Sequence, residues 1–219
     1  MTRRLAVLFD LDGTLLDTVG LILESVHHAF AEHAGRRPTD ADWIAGIGMP
    51  LRTQLVAFVP EPEALERIVA RYRVHYRAHQ ARGTRPFPGA LEVVRWLKER
   101  GHPTAVVTSK VNELTRWALE HVGLAPLIDV SVTADSCERH KPDPEPVRLA
   151  LERLGYEPRE AIFVGDSPHD VAAGNAAGTA TVAAAWGPCP REDLERASPG
   201  HYLQTIEGLP ALVEALERG

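Results

Sequence analysis

The chain has 219 residues, 44% hydrophobic and 25% charged, enough to bury one large core or two small ones. Its formal net charge of −6 argues against the basic face that a nucleic-acid partner requires. Two cysteines far apart, Cys137 and Cys189, exclude a disulfide framework and a zinc spacing, and they predict a reducing, cytoplasmic setting.

The first element is a short apolar run, Leu5 to Phe9. It reads as a buried strand because its apolar residues are continuous and a turn signal follows. Basic residues precede it, but the run is too short for a signal peptide or a membrane span, so no membrane partner is expected. Two carboxylates two positions apart, Asp10 and Asp12, end the strand, and Gly13 and Thr14 follow at once. Acids held together at the end of a buried strand repel each other and lose water, so they need a cation or a shared proton. The plainer reading is a polar loop with a capping aspartate.

Residues 18 to 83 read as helices: Val19 to Glu32, a stretch around Pro50 to Val59, and Pro62 to Gln80, with no strand signal between them. An inserted helical cap over 18–83 is predicted, hinged near Asp17-Thr18 and Gly83-Thr84. The segments 1–17 and 84–219 then form the core beneath it. His75 and His79 have the i, i+4 spacing of two ligands to one metal. The arginines around them make a solvated basic helix face the simpler expectation.

From residue 85 onward the pattern alternates. Helical periodicity covers Pro88 to Arg100, Val111 to Val122, Pro144 to Leu154, Pro168 to Ala177 and Leu209 to Leu216. Strand-like runs cover Thr104 to Val107, Leu127 to Val132, Ala161 to Val164 and Thr179 to Ala183, with a last one near Tyr202 and Leu203. The predicted fold class is therefore α/β: a Rossmann-like parallel sheet with helices on both faces, plus the inserted helical cap. Three of its strands, ending at Asp10, Thr108 and Gly165, deliver polar residues just past their C-terminal ends, where open α/β sheets bind ligands.

Four motifs carry a resemblance to a known family: Asp10-Leu11-Asp12-Gly13-Thr14, Thr108-Ser109-Lys110, His140-Lys141-Pro142, and Gly165-Asp166-Ser167-Pro168-His169-Asp170. In this order and spacing the chain is similar to the haloacid dehalogenase-like hydrolase superfamily, and most to its phosphoglycolate phosphatase-like branch. The resemblance implies a Mg²⁺-dependent phosphatase acting on a small phosphorylated metabolite through an aspartyl-phosphate. It makes Asp10 the nucleophile and Asp12 the acid, later the base. Mg²⁺ would be held by Asp10, the backbone carbonyl of Asp12 and Asp166, with Asp170 as an outer ligand. Another reading has Asp166 capping the following helix and Asp170 favouring its dipole.

Gly13 would leave room for backbone N–H groups to reach the phosphate, and Thr108 and Lys141 would bind it. Ser109 would add a backbone N–H or simply cap a turn. The Gly/Pro break Gly46-Ile47-Gly48-Met49-Pro50-Leu51-Arg52 would reach from the cap to the leaving group. Arg52 would then meet a second anionic group, or else be a surface arginine in a turn. Pyrophosphate hydrolysis and hexose-phosphate mutase chemistry are the rival activities, and a non-catalytic binding module on this fold is the rival outside catalysis. The sequence leaves monomer and homodimer open.

Overall fold

In chain order, β1 (Ala6–Phe9) and β2 (Leu16–Asp17) precede four helices: α1 (Val19–Phe30), α2 (Asp40–Ile44), α3 (Leu51–Val56) and α4 (Pro62–Gly83). Then follow β3 (Arg85–Pro86), α5 (Ala90–Glu99), β4 (Thr104–Val107), α6 (Asn112–His121), β5 (Val130–Val132), α7 (Glu145–Leu154), β6 (Ala161–Gly165) and α8 (Pro168–Ala177). The chain closes with β7 (Ala180–Ala184), α9 (Arg191–Arg196), β8 (His201–Leu203) and α10 (Leu209–Arg218). This is a computed structural model, and it describes residues 4–218. None of these helices is long and apolar enough to cross a membrane.

Six strands form one sheet in the order β5-β4-β1-β6-β7-β8, every neighbouring pair parallel. The α/β class with a parallel sheet is as expected. Strand β1 is buried on both faces, which explains its unbroken apolar run. Val7 and Phe9 point into one layer with Val94 and Leu97 of α5 and Val213 of α10. Ala6 and Leu8 point into the other, with Val147 and Leu151 of α7 and Ala173 of α8. The strand order reverses beside β1, so the ends of β1, β4 and β6 open into one crevice.

Helices α1 to α4 bury a cluster of their own. Leu21, Val26 and Phe30 of α1 pack with Leu65, Ile68, Val69, Tyr72 and Tyr76 of α4, and Trp43 and Leu55 complete it. Leu114 of α6 packs against this cluster from the sheet side.

Three features depart from the sequence reading. A two-stranded antiparallel ladder, Leu16 opposite Pro86 and Asp17 opposite Arg85, joins the helical segment to the sheet. Asp17 is therefore paired with Arg85 in a ladder. Strands of two residues are too short to show a period. Two short helices, α2 and α9, also lie outside the predicted elements. Helix α2 is set by its Thr39–Asp42 capping box, a local signal that needs no apolar stripe. The run from Leu127 becomes a single 3₁₀ turn, Ala125–Leu127, before β5 starts at Val130.

Phe163 of β6 is 1% exposed and sits in the α7–α8 layer. Phe163→Ala is expected to lower the unfolding free energy by about 3–5 kcal/mol, measured by urea denaturation.

Candidate active site

Asp10 leaves the end of β1, and its backbone N–H donates to Val164 O at 2.9 Å. Its side chain is almost wholly buried. The Lys141 ammonium, from the loop before α7, donates to Asp10 Oδ1 at 2.7 Å, to Asp170 Oδ1 at 2.6 Å and to Val107 O at 3.2 Å. Asp166 follows β6. Its Oδ1 accepts from Thr14 Oγ1 at 2.6 Å, while its buried Oδ2 has no hydrogen-bond partner. Ligand atoms of Asp10, Asp166 and Asp170 lie within 4.8 Å of one another, and all three residues are buried.

Burial raises the Asp10 carboxyl to about 7, against the pull of Lys141 and with Asp170 adding to the rise. Burial, then Asp10 and Asp170, hold Asp166 well above the usual carboxylate range. For Lys141 burial acts downward, but its two carboxylate partners outweigh it and keep the ammonium charged. Were all three acids ionised beside one ammonium, the dry pocket would carry excess negative charge, so the group must hold protons or a cation. A hard divalent cation with oxygen ligands fits this donor set, and the orphaned Asp166 Oδ2 is a lone pair in need of such a partner.

The Asp12 carboxylate turns away from this group. Its Oδ1 accepts from Thr18 Oγ1 at 2.5 Å and from Lys110 Nζ at 2.6 Å. Lys110 also donates to the Tyr76 hydroxyl of α4 at 2.7 Å, with its ammonium 5.0 Å from that ring's centroid. Two acids spaced by two residues thus serve two environments, one dry and crowded with charge, the other paired with a single lysine. Gly13, directly after Asp12, has φ +93°, and a Cβ there would run into the Asp166 carboxylate, so only glycine fits.

Thr108 ends β4, with its N–H bonded to Val132 O at 2.9 Å and its Oγ1 accepting from Lys110 N at 3.2 Å. Ser109 Oγ donates to Gly48 O, so the Gly/Pro break of the helical segment does reach down to the sheet. Ser167, not Asp166, caps α8, and Asp170 completes its capping box. Asp170 therefore has one oxygen on Lys141 and the other on Ser167, whose Oγ lies at 2.5 Å. Arg52 pairs with the exposed Glu66 at the mouth of the site. The His75 and His79 rings lie tilted to each other with centroids 4.2 Å apart, but His75 Nδ1 bonds Ser25 and His79 Nδ1 bonds a backbone carbonyl. Among the described residues they are in no metal-binding group of three.

Between the sheet and the helices lies a cavity of about 360 Å³. Asp10, Asp12, Thr108 and Lys110 line it from the strand ends, and Trp43, Met49, Arg52 and Tyr72 line it from the helical segment. Sequence reasoning missed Thr14, Thr18, Lys110 and Tyr76. Thr14 and Lys110 lie inside the four motifs, where a hydroxyl and an ammonium beside the acids are the signal. Tyr76 gives no local signal, since only tertiary packing brings α4 over the strand ends.

Paired acids past β1, a buried lysine across from them and a helical roof define a hydrolase site on a doubly wound sheet. A sequence profile described as haloacid dehalogenase-like hydrolase matches residues 7–184, and the chain belongs to that family. Among its relatives are proteins named pyrophosphatase PpaX. The one from Halalkalibacterium halodurans is 36% identical over 207 residues, 94% of this chain and 95% of that one. The one from Bacillus pumilus is 34% identical over 209 residues, 95% and 96% of the two chains. A crystal structure described as a predicted phosphoglycolate phosphatase from Haemophilus somnus superposes with a TM-score of 0.86. It covers 97% of this chain and 99% of its own at 22% identity, a likeness of fold.

The raised pKa of Asp10 gives a test of the metal fit. A carboxyl titrating near 7 in the fold and near 3.8 unfolded binds more protons when folded, so the metal-free protein loses stability as pH rises through that interval. Mg²⁺ competes with those protons. The rise in Tm on adding Mg²⁺ is expected to be larger at about pH 8 than at about pH 6. Thermal scans of wild type and Asp166→Asn check this, and the variant should lose most of the rise.

Proposed function

We propose that this chain is a Mg²⁺-dependent phosphatase that hydrolyses a small phosphate monoester through an aspartyl-phosphate on Asp10. The observation that carries the proposal is the division of labour between the two acids at the end of β1. Asp10 is fixed by the Lys141 ammonium in the three-carboxylate pocket, and Asp12 stands apart at the floor of the cavity. Phosphoglycolate is the reference ester that the motifs suggest. Pyrophosphate, after the names of the relatives, is the second candidate for the same chemistry.

In the first step an Asp10 carboxylate oxygen bonds to phosphorus as the bond to the leaving oxygen breaks. Asp12 gives that oxygen its proton. In the second step Asp12 takes a proton from water, whose oxygen displaces Asp10 from phosphorus. Asp10, Asp166 and the Asp12 carbonyl, with Asp170 beside them, would hold Mg²⁺, which would supply positive charge where the carboxylates and a phosphate dianion share one pocket. Lys141 holds Asp10 in place and balances part of the phosphate charge. Thr108, the Ser109 N–H and the backbone opened by Gly13 accommodate the phosphate oxygens.

Helices α1 to α4 act as a cap over residues 18–83, excluding water from the intermediate. The contacts Ser109 to Gly48 and Lys110 to Tyr76 support this, since both join the sheet to the helical segment. Arg52 stands at the mouth, where it meets polar parts of a substrate on entry.

Asp10→Asn is expected to lower phosphate release by at least about a thousandfold with the circular dichroism spectrum unchanged. Near wild-type turnover would remove Asp10 as the nucleophile.

Asp12→Asn is expected to cost about 10²–10⁴ in kcat on an alkyl phosphate, which needs its leaving oxygen protonated, and much less on p-nitrophenyl phosphate. Equal losses on both substrates would count against Asp12 as the acid. Conversion of a hexose 1-phosphate to the 6-phosphate without phosphate release would instead establish a mutase.

A further inference from the structure

We propose that the leaving group selected by this cavity is apolar and of ring size, so that the preferred substrate is the phosphate ester of a hydrophobic alcohol. The inference rests on the phosphatase reading and narrows its substrate. Phosphoglycolate and pyrophosphate both place a second negative charge just beyond the scissile bond. A pocket built for either needs an unengaged cation there, because an anion taken out of water without one is strongly disfavoured.

The lysine and arginines that line the cavity are already committed or lie at its edge, and half-buried His140 is the other basic side chain in the lining. Lys110, at the inner end, is 7% exposed, and its ammonium is held at 2.6 Å by Asp12 and at 2.7 Å by the Tyr76 hydroxyl. Arg52 is 59% exposed and paired with Glu66. Arg73, on the same rim, is exposed. Apart from Asp10, Asp12 and Thr108, most of the rest of the lining is apolar, with Thr53, Gln54, Ser109 and His140 as its polar members.

The apolar side chains come from separate parts of the chain. Ile22 belongs to α1, Ile47 and Met49 to the Gly/Pro break, Tyr72 to α4 and Leu114 to α6. Ile22, Met49 and Leu114 are half-buried where they line the cavity, in contrast to the fully packed Leu55 and Val59 of the same helical segment. Convergence from both sides of the cleft distinguishes this surface from the stripe by which a single helix packs. The volume points the same way. A cavity of about 360 Å³ falls in the range that encloses drug-sized ligands, far larger than glycolate or orthophosphate. An aromatic ring or short branched alkyl chain would fill it and displace water from its walls.

The experiment compares kcat/KM of the Mg²⁺-loaded full-length protein for benzyl phosphate, 2-phosphoglycolate, glycerol 2-phosphate and pyrophosphate. Benzyl phosphate is an alkyl ester without an activated leaving group, so an advantage reports recognition and not intrinsic reactivity. It is expected to exceed each of the others by about tenfold or more. Replacing Leu114 by Asn should shrink the benzyl-to-phosphoglycolate ratio at least about fivefold. A kcat/KM for phosphoglycolate or pyrophosphate equal to or above that for benzyl phosphate would overturn the inference and leave the phosphatase reading standing. No turnover of any of the four would overturn both.

Discussion

The structure around the strand ends depends on one constraint: three carboxylates must share a pocket from which water is excluded, and one lysine holds two of them. Lys141 is sealed between Asp10 and Asp170, and the third acid, Asp166, leans on the Thr14 hydroxyl. Removing water raises the Asp10 and Asp166 carboxyls and acts downward on the Lys141 ammonium. The mutual attraction keeps Lys141 charged, but it does not neutralise the group. The charge that remains when the acids ionise is what gives the site its appetite for a cation. It also explains why so much rigid secondary structure is spent here. Four chain segments, the ends of β1 and β6, the start of α8 and the loop before α7, must keep their positions for the charges to remain matched.

The second acid depends on the opposite condition. Asp12 has a hydroxyl from the join between sheet and helices, Thr18, and an ammonium that reaches on to Tyr76 of the helical segment. Its surroundings are therefore built half by the sheet and half by the roof. A displacement of α4 would change what Lys110 touches, and with it the partners of Asp12. This links the position of the helical segment to the chemistry at the floor of the cavity through two hydrogen bonds. The antiparallel ladder of Leu16-Asp17 with Arg85-Pro86 gives both connecting strands a common anchor.

Some of this was legible in the residues themselves. Continuous apolar runs mark strands buried on both faces, and the glycines after α5, α6 and α7 mark where those helices stop. Polar residues placed just past β1, β4 and β6 pointed to one crevice before any geometry was known, because parallel sheets place the ends of successive strands together. The short elements were not legible. Helices α2 and α9 and the ladder at the join are too brief to show a period, and they are fixed by caps and by pairing with distant residues. The reading of Asp166 as a helix cap failed for a related reason. Ser167 and Asp170 form the reciprocal capping box, which leaves Asp166 one oxygen free of hydrogen bonds.

By itself, then, the sequence determined the α/β alternation, the placement of acids and hydroxyls at strand ends, and the existence of a helical segment between β1 and the rest of the sheet. These are local properties, written in apolar period, turn chemistry and spacing. Tertiary structure alone decided which acids share the buried pocket, that Lys110 rather than a backbone group faces Asp12, that Arg52 turns outward to Glu66, and that apolar side chains from separate elements meet in the cavity lining. Each of these is a contact between residues far apart in the chain, whose energy depends on burial and on distances of a few ångströms, and no local pattern records it.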